Sequence, residues 1–356
     1  MSDWAAFRSH FPVAGRWAFL DHAAVAPLPD VAAAALAEYA ASLAENGVAA
    51  VGRWVARVND VRRLAAELVN APHPDDVCFV PNTSAGIGLV AEGFPWRPGD
   101  EVVTAAEEYP SNQYPWMNLL DRGVSVRAVP SRGSRIDVDD VRAAFTPRTR
   151  LLAISAVEFA SGFANDLALL GQLCRERGVF FFVDAIQAIG VMPFDVQALG
   201  VDACAADGHK WMLGPEGAGF AHVRRDWAER FRAIGVGWNS VVNPLEFSRI
   251  DFTLKPHAGR WEGGSYNVPG VTALGASLRL LLDAGVENVW RRVEAVTDHL
   301  CDRAAAAGLR VFSSRAAGER SGIVSLETPG ADPAAVMRRC RAAGVVVNCR
   351  AGRLRV

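Results

Sequence analysis

The stretch VFFFVDAIQAIGVMPFDVQALGVDACAADGHKWMLGPEGAG, Val179 to Gly219, decides the reading of this chain. It opens on an apolar run, Val179 to Val183, with the length and composition of a strand buried on both faces, and it reaches Asp184 where such a strand ends. Gln187 follows about one helical turn on. A second apolar step through Val201 and Ala203 leads to His209 and Lys210. Taken singly, each residue has an ordinary reading: Asp184 as a strand-end cap, Gln187 as an exposed amide, Lys210 as a solvated lysine. Their order within one segment points instead to a shared site, an acid at one strand tip facing an amine beyond the next strand.

That trio suits one flat aromatic cofactor, pyridoxal phosphate (PLP). Its aldehyde takes an amine as a Schiff base, and a carboxylate must keep its ring nitrogen protonated for the ring to accept electrons. The segment resembles the cofactor segment of fold-type I PLP enzymes, specifically the aminotransferase class V family. That family includes cysteine desulfurases, selenocysteine lyases, kynureninases and isopenicillin-N epimerase. Its pattern of Asp-x-x-Gln, then Gly-His-Lys-Trp and a glycine-proline turn, stands here as DAIQ, GHKW and GPEGAG.

Length and composition agree with such an enzyme. The chain has 356 residues, 51% hydrophobic and 21% charged, enough for two domains and a large core. A formal net charge of −2 gives no electrostatic reason to expect nucleic acid or an anionic membrane as partner. The cysteines Cys78, Cys174, Cys204, Cys301, Cys340 and Cys349 show no Cys-x-x-Cys spacing and no histidine at metal-ligand intervals, so a reduced, cytoplasmic protein without a metal is expected. The opening MSDWAAFRSHF lacks the pattern of a signal peptide, and the alanine-rich run at 31–44 is too short to span a bilayer.

Along the chain, apolar runs alternate with helical patterns. A short amphipathic helix and a strand-like run at 17–20 precede Asp21-His22, and Pro27 and Pro29 bar a helix until about Asp30. Helices are expected over 30–44 and 53–69. The strand 77–80 runs into Pro81-Asn82-Thr83-Ser84, where a helix begins; hydroxyls and free N–H groups there make either an anion site or a simple cap. Strands at 101–104, 124–129, 151–154 and 179–183 follow, with a helix capped by Asp166. The stretch 235–264 reads as a long loop. Helices at 269–284 and 287–307 lead to a small domain with strands at 310–313, 322–327 and 345–349 and a helix at 332–343. This alternation specifies an α/β fold with a mostly parallel sheet, expected to have seven strands, and ligands bind beyond the carboxyl ends of such strands. A PLP-dependent transferase-like large domain is expected over 15–268, and a small α+β domain from 1–14 with 269–356.

The resemblance implies further roles. Lys210 holds the cofactor and moves the substrate's alpha proton, Asp184 faces the ring nitrogen, and Gln187 donates to the phenolic oxygen. Thr83, Ser84 and His209 reach the phosphate. Tyr109 stands where desulfurases place a stacking histidine; it keeps the ring face but lacks an imidazole's near-neutral pKa, and its plain alternative is a loop tyrosine packed on Trp116. Phe159 replaces a usual asparagine. Arg260-Trp-Glu-Gly-Gly-Ser265-Tyr-Asn267 resembles the family segment whose hydroxyl, here Ser265, reaches the neighbouring subunit's cofactor, which implies a homodimer with shared sites. Arg355 matches the arginine that grips the substrate carboxylate, a bidentate task that lysine does poorly. His22 lies in the entry segment over the active-site mouth, as a substrate contact or a structural histidine. Asp207 stands where a hydroxyl is more common, and a carboxylate beside a phosphate would be repelled, so it is not assigned to the phosphate.

The family's members continue beyond Arg355 with a serine, a Tyr-Asn pair and a closing helix, so the C-terminal end is expected to be short of that segment. Desulfurases carry a nucleophilic cysteine on a loop shortly before the carboxylate arginine. Cys349 falls near that place, but the alternation from Val345 puts it on a strand. The expected function is therefore that of a PLP-dependent enzyme acting on a small amino acid at its alpha or beta carbon, a desulfurase-like lyase or epimerase without a well-placed catalytic cysteine. An aminotransferase passing the amino group to a 2-oxo acid is the alternative, and a PLP-binding protein with lapsed catalysis a third.

Overall fold

The computed structural model describes residues 3–356; Met1 and Ser2, which open the N-terminal stretch read above, lie outside the described residues. In chain order the strands are β1 (Ala18–Phe19), β2 (Val77–Val80), β3 (Glu101–Ala105), β4 (Ser125–Val129), β5 (Thr149–Ser155), β6 (Phe180–Asp184), β7 (Ala203–Asp207) and β8 (Gly219–Val223). The small domain adds β9 (Arg310–Val311), β10 (Ser325–Glu327), β11 (Val345–Val346), β12 (Asn348–Arg350) and β13 (Arg353–Arg355). The helices that matter below are α1 (Trp4–Ser9), α2 (Asp30–Asn46), α3 (Val51–Leu68) and α4 (Thr83–Gly93).

Strands β2 to β8 form one seven-stranded sheet in the order β2-β8-β7-β6-β5-β3-β4, parallel except for β8, which runs antiparallel to both neighbours. Apart from the largely exposed edge strand β4, its residues are buried on both faces, which is why the strands read as near-continuous apolar runs. Phe181, Val183, Cys204 and Ala206 enter one core, and Phe180, Phe182, Ala203 and Ala205 the other. Helix α3 covers the first face with Val58, Val61, Leu64, Ala65 and Leu68, the stripe its periodicity predicts. Helix α4 lies close on the other face. A Cβ on its Gly86 would stand 2.5 Å from the Ala205 Cβ, so only glycine lets the helix approach β7 this far.

The small domain is an antiparallel sheet in the order β12-β13-β10-β9, and β1 joins it indirectly by pairing in parallel with β11. The strand expected over 345–349 is broken in two, because Val345–Val346 pairs with β1 whereas Asn348–Arg350 folds back on β13. The strand expected over 322–327 is shorter, Ser325–Glu327. The segment 235–264 is irregular apart from two 3-10 turns, Trp238–Ser240 and Ala258–Trp261. Its far end is anchored by Glu262, which accepts both Nη groups of buried Arg62 at 2.7 and 2.8 Å and the Phe79 N–H at 2.8 Å. No helix among the described residues is long and apolar enough to cross a membrane.

Candidate active site

The carboxyl ends of β2, β3, β5, β6 and β7 point to one side of the sheet and bring Thr83, Tyr109, Phe159, Asp184 and Lys210 together there. Asp184 ends β6 and is 3% exposed. Its Oδ1 accepts the Ile186 N–H at 3.2 Å, while Oδ2 takes no hydrogen bond among the described residues. Burial raises its pKa to about 6, offset by that hydrogen bond and by the positive charge of Lys210. Lys210 follows β7 on a turn closed by Gly214 N–H to Gly208 O at 2.8 Å. Its amine has neither hydrogen bond nor ion pair among the described residues. Burial brings its pKa down to about 8, with Asp184 opposing and Arg355 and Arg350 adding to the fall. The chain contains one other lysine, Lys255, whose amine donates to Asn239 O at 2.5 Å.

At the start of α4 the cap is Asn82, whose side chain accepts the Ala85 N–H at 2.8 Å. Thr83 and Ser84 are therefore free of the capping task that was their plain reading, and their own N–H groups have no partner among the described residues. Thr83 Oγ1 accepts the Asp207 N–H at 3.0 Å, which ties α4 to the lysine turn. Ser84 Oγ bonds Ser111 Oγ at 2.8 Å. The Asp207 carboxylate is turned to Gly208 N and to His209 Nδ1, both at 2.8 Å, so it orients the imidazole.

Tyr109 leans on Phe159, not on Trp116: their rings meet edge-on with centroids 5.1 Å apart, while Trp116 packs on Phe182. Tyr109 is 47% exposed, and its ring centroid is 5.9 Å from Lys210 Nζ. Gln187 is buried with its Oε1 accepting Trp211 Nε1–H at 2.8 Å and its amide nitrogen donating to Ala23 O at 3.1 Å, which spends one of its two N–H groups. His22 is stacked on Trp211 at 5.5 Å and edge-on to Phe19. Burial lowers its pKa to about 4, so it is a neutral ring held by aromatics and has no charge to offer a carboxylate.

The small domain contributes a hairpin, β12 and β13, turned at Ala351 and Gly352, both with positive φ. Arg355 is almost fully buried: Nη1 donates to Phe159 O at 3.0 Å, Nη2 to Asp21 Oδ1 at 3.2 Å, and Nε has no partner. Asn348 bonds the other Asp21 oxygen at 2.8 Å, and Arg350 in turn donates to Asn348 Oδ1 at 3.2 Å. Asn348 and Arg355 are cross-strand partners, as are Arg350 and Arg353, so these four share one face of the hairpin. Cys349, paired with Leu354, is on the other face. Ser265 is exposed, outside this cleft within the single chain.

Residues 18–353 match the family profile described as aminotransferase class-V. The chain belongs to the aminotransferase class V family. A probable cysteine desulfurase of Methanothermobacter thermautotrophicus is 31% identical over 298 residues, 82% of this chain and 74% of the relative. The cysteine desulfurase CsdA of Escherichia coli has the same fold with a TM-score of 0.89 at 26% identity, covering 100% of this chain and 93% of that one. C-DES, solved with glycine covalently linked to its PLP cofactor, matches in fold with a TM-score of 0.92 at 23% identity, over 98% of this chain and 94% of that one. As a class V member the protein is a PLP-dependent lyase or transferase.

The residues fit PLP. A half-buried amine without hydrogen bond or ion pair, a carboxylate with one oxygen unpaired and free N–H groups at a helix N-terminus match its aldehyde, its ring nitrogen and its phosphate. The sequence reading missed Asp21, Asn348, Arg350, Glu108 and Glu158. Asp21 reads only as the neighbour of His22 and Glu108 stands next to Tyr109, but nothing local marks either as buried.

Proposed function

We propose that this class V enzyme acts on a small amino acid at its alpha or beta carbon, as a lyase or epimerase of the desulfurase-like group that works without a cysteine nucleophile. The observation that carries the reading is the Lys210 amine, without hydrogen bond or ion pair and acted on by the charges of Asp184 and Arg355, with Cys349 on the hairpin face opposite Arg355.

Lys210 would hold the cofactor by its aldehyde, and its amine would take the substrate's alpha proton; a pKa near 8 suits a base that works close to neutrality. Bound PLP supplies an electron sink for the pair released at the substrate carbon. Asp184, ionised at neutral pH, holds the proton on the ring nitrogen. Gln187 offers its remaining N–H to the phenolic oxygen, Tyr109 covers one ring face, and Thr83, Ser84 and the His209 imidazole hold the phosphate. Arg355 receives the substrate carboxylate through its unpaired Nε–H, and His22 shapes the mouth through Trp211 rather than by charge. Ser265 serves the site of a second copy in a homodimer. We further take 15–268 as the PLP-binding domain, 1–14 with 269–356 as the small domain, and the cytoplasm as the setting.

The test is an absorbance-monitored screen of small amino acids with detection of sulfide, pyruvate, inverted amino acid and 2-oxo acid. Release of sulfide or pyruvate, or inversion at the alpha carbon, supports the proposal. Conversion of bound PLP to its amine form, reversed by a 2-oxo acid, would establish an aminotransferase instead. No exchange of the alpha proton in heavy water with any donor would mean lapsed catalysis.

A further inference from the structure

Two glutamates lie beside Asp184 without a part in the roles above. Glu108 follows β3 and is 3% exposed; Glu158 follows β5 and is 4% exposed. Ser155, which pairs in register with Asp184, donates both its N–H and its Oγ–H to Glu108 at 2.5 Å. Glu158 receives one bond, Asn165 Nδ2–H to Oε1 at 2.9 Å, and its Oε2 is buried without any partner. Neither glutamate forms an ion pair among the described residues. The charges acting most strongly on them are all negative: Asp184 from β6 on Glu108, and Glu108, Glu107 and Asp184 on Glu158.

An ionised carboxylate does not tolerate a buried oxygen with no donor and three acids around it, whereas the neutral acid carries its own O–H. Glu108, with two donors from Ser155, is far better equipped to bear charge. Asp184 has a single donor, the Ile186 N–H, but of the three it is the one whose charge is offset by the Lys210 amine. We infer that Glu158 is a neutral carboxylic acid, that Glu108 ionises only after Asp184, and that the two are positioning residues which confine the first negative charge of this pocket to the carboxylate facing the cofactor ring. Burial puts Glu108 near pH 7 and Glu158 well above the ordinary carboxyl range, in agreement with that order. Glu108, its carboxyl raised to about 7 by burial, thus lies across β5 from the ring nitrogen's partner.

The sign is testable in protein stripped of cofactor. A carboxyl that keeps its proton in the fold but loses it on unfolding makes stability fall as pH rises from its unfolded value, about tenfold in the folding equilibrium per pH unit. Glu158→Gln removes that slope, so its folding equilibrium relative to the parent improves by about tenfold per pH unit above about pH 5. Parallel curves overturn the assignment. Should the variant fold poorly, carbon NMR of the parent labelled at glutamate carboxyls answers alone: two carboxyls titrating above pH 6 are expected, and all titrating near 4 to 5 is the contrary result.

The positioning role is read from the spectrum of bound PLP against pH. A transition near pH 7 in the parent and in Glu158→Gln, lost in Glu108→Gln, is expected; identical profiles in all three refute it. This second arm rests on PLP seated against Asp184. A parent that binds no PLP refutes that seating and the positioning role together, while the cofactor-free titration still decides the protonation of the pair.

Discussion

Arg355 on β13 and Asp21 in the entry segment, 334 positions apart, form a buried ion pair that ties the last strand of the small domain to the mouth of the cleft. With Phe159 O on the other Nη group and Asn348 on the second Asp21 oxygen, the guanidinium is held on both sides, and its buried Nε is left without a partner. Asp21→Asn keeps the shape but replaces one acceptor by a donor aimed at donors. The expected result in steady-state kinetics is a KM raised by about tenfold or more for a carboxylate substrate, with a smaller change in kcat, because binding and not chemistry is disturbed. Arg355→Lys should raise KM further, since a point charge cannot reproduce the fork. An unchanged KM in both variants would refute Arg355 as the carboxylate's partner.

Lys210 should react as a neutral amine at a lower pH than an ordinary lysine. Its pKa is brought down to about 8 by burial, so the reactive fraction rises as pH passes that value instead of at the 10.5 of an ordinary lysine. In cofactor-free protein, capture of PLP followed by borohydride reduction is expected to climb through about pH 8 and level off, with peptide mapping placing the adduct at Lys210. Because Lys255 is the other lysine of the chain, Lys210→Ala leaves a single position to check. A rise delayed to above pH 10 would show that the amine is solvated.

What was legible in the sequence was local. The apolar run into Asp184 and the GHKW turn are contiguous signals, and burial on both faces imprints itself directly on residue choice along each strand. Asp166 caps its helix as read, through the Leu169 N–H. Pairing between distant segments leaves no such imprint. Nothing near Asp21 specifies Arg355, and nothing near Val345 says that its strand partner is Ala18, which is why one strand was read where two exist. The cap of α4 shifted by one residue to Asn82 because Asn, Thr and Ser compete almost equally for that place and only tertiary contacts choose. Glu108 and Glu158 were unreadable for another reason: an acidic residue reads as solvated unless its burial is known.

The Arg62–Glu262 pair should be a stability determinant for the loop that carries Ser265. Both side chains are buried, and Glu262 also takes the Phe79 N–H and the Tyr266 hydroxyl at 2.9 Å. Glu262→Ala leaves an uncompensated guanidinium inside the protein, so a loss of about 3–5 kcal/mol in denaturant unfolding is expected. The double change Arg62→Met with Glu262→Leu should recover much of it, because the charge and its partner disappear together. If the single variant unfolds at the parent's midpoint, Arg62 finds water or another acceptor and the anchor is weaker than its geometry implies.

Cys349→Ala tests whether a thiol takes part in the reaction. A nucleophilic thiol must reach the substrate held by Arg355, yet Cys349 is paired with Leu354 in the hairpin, and successive residues of a strand face opposite ways. Swinging it round would require slipping the register by one residue, which would also carry Arg355 out of the cleft and Leu354 out of its core. The two-residue turn at Ala351 and Gly352 leaves no slack for a local excursion. Activity on whichever amino acid the screen identifies is therefore expected to stay within about twofold of the parent, whereas loss of an attacking nucleophile costs many orders of magnitude. A collapse of activity in Cys349→Ala, with folding and PLP binding intact, would mean that the hairpin opens during turnover and that the protein is a thiol-dependent desulfurase.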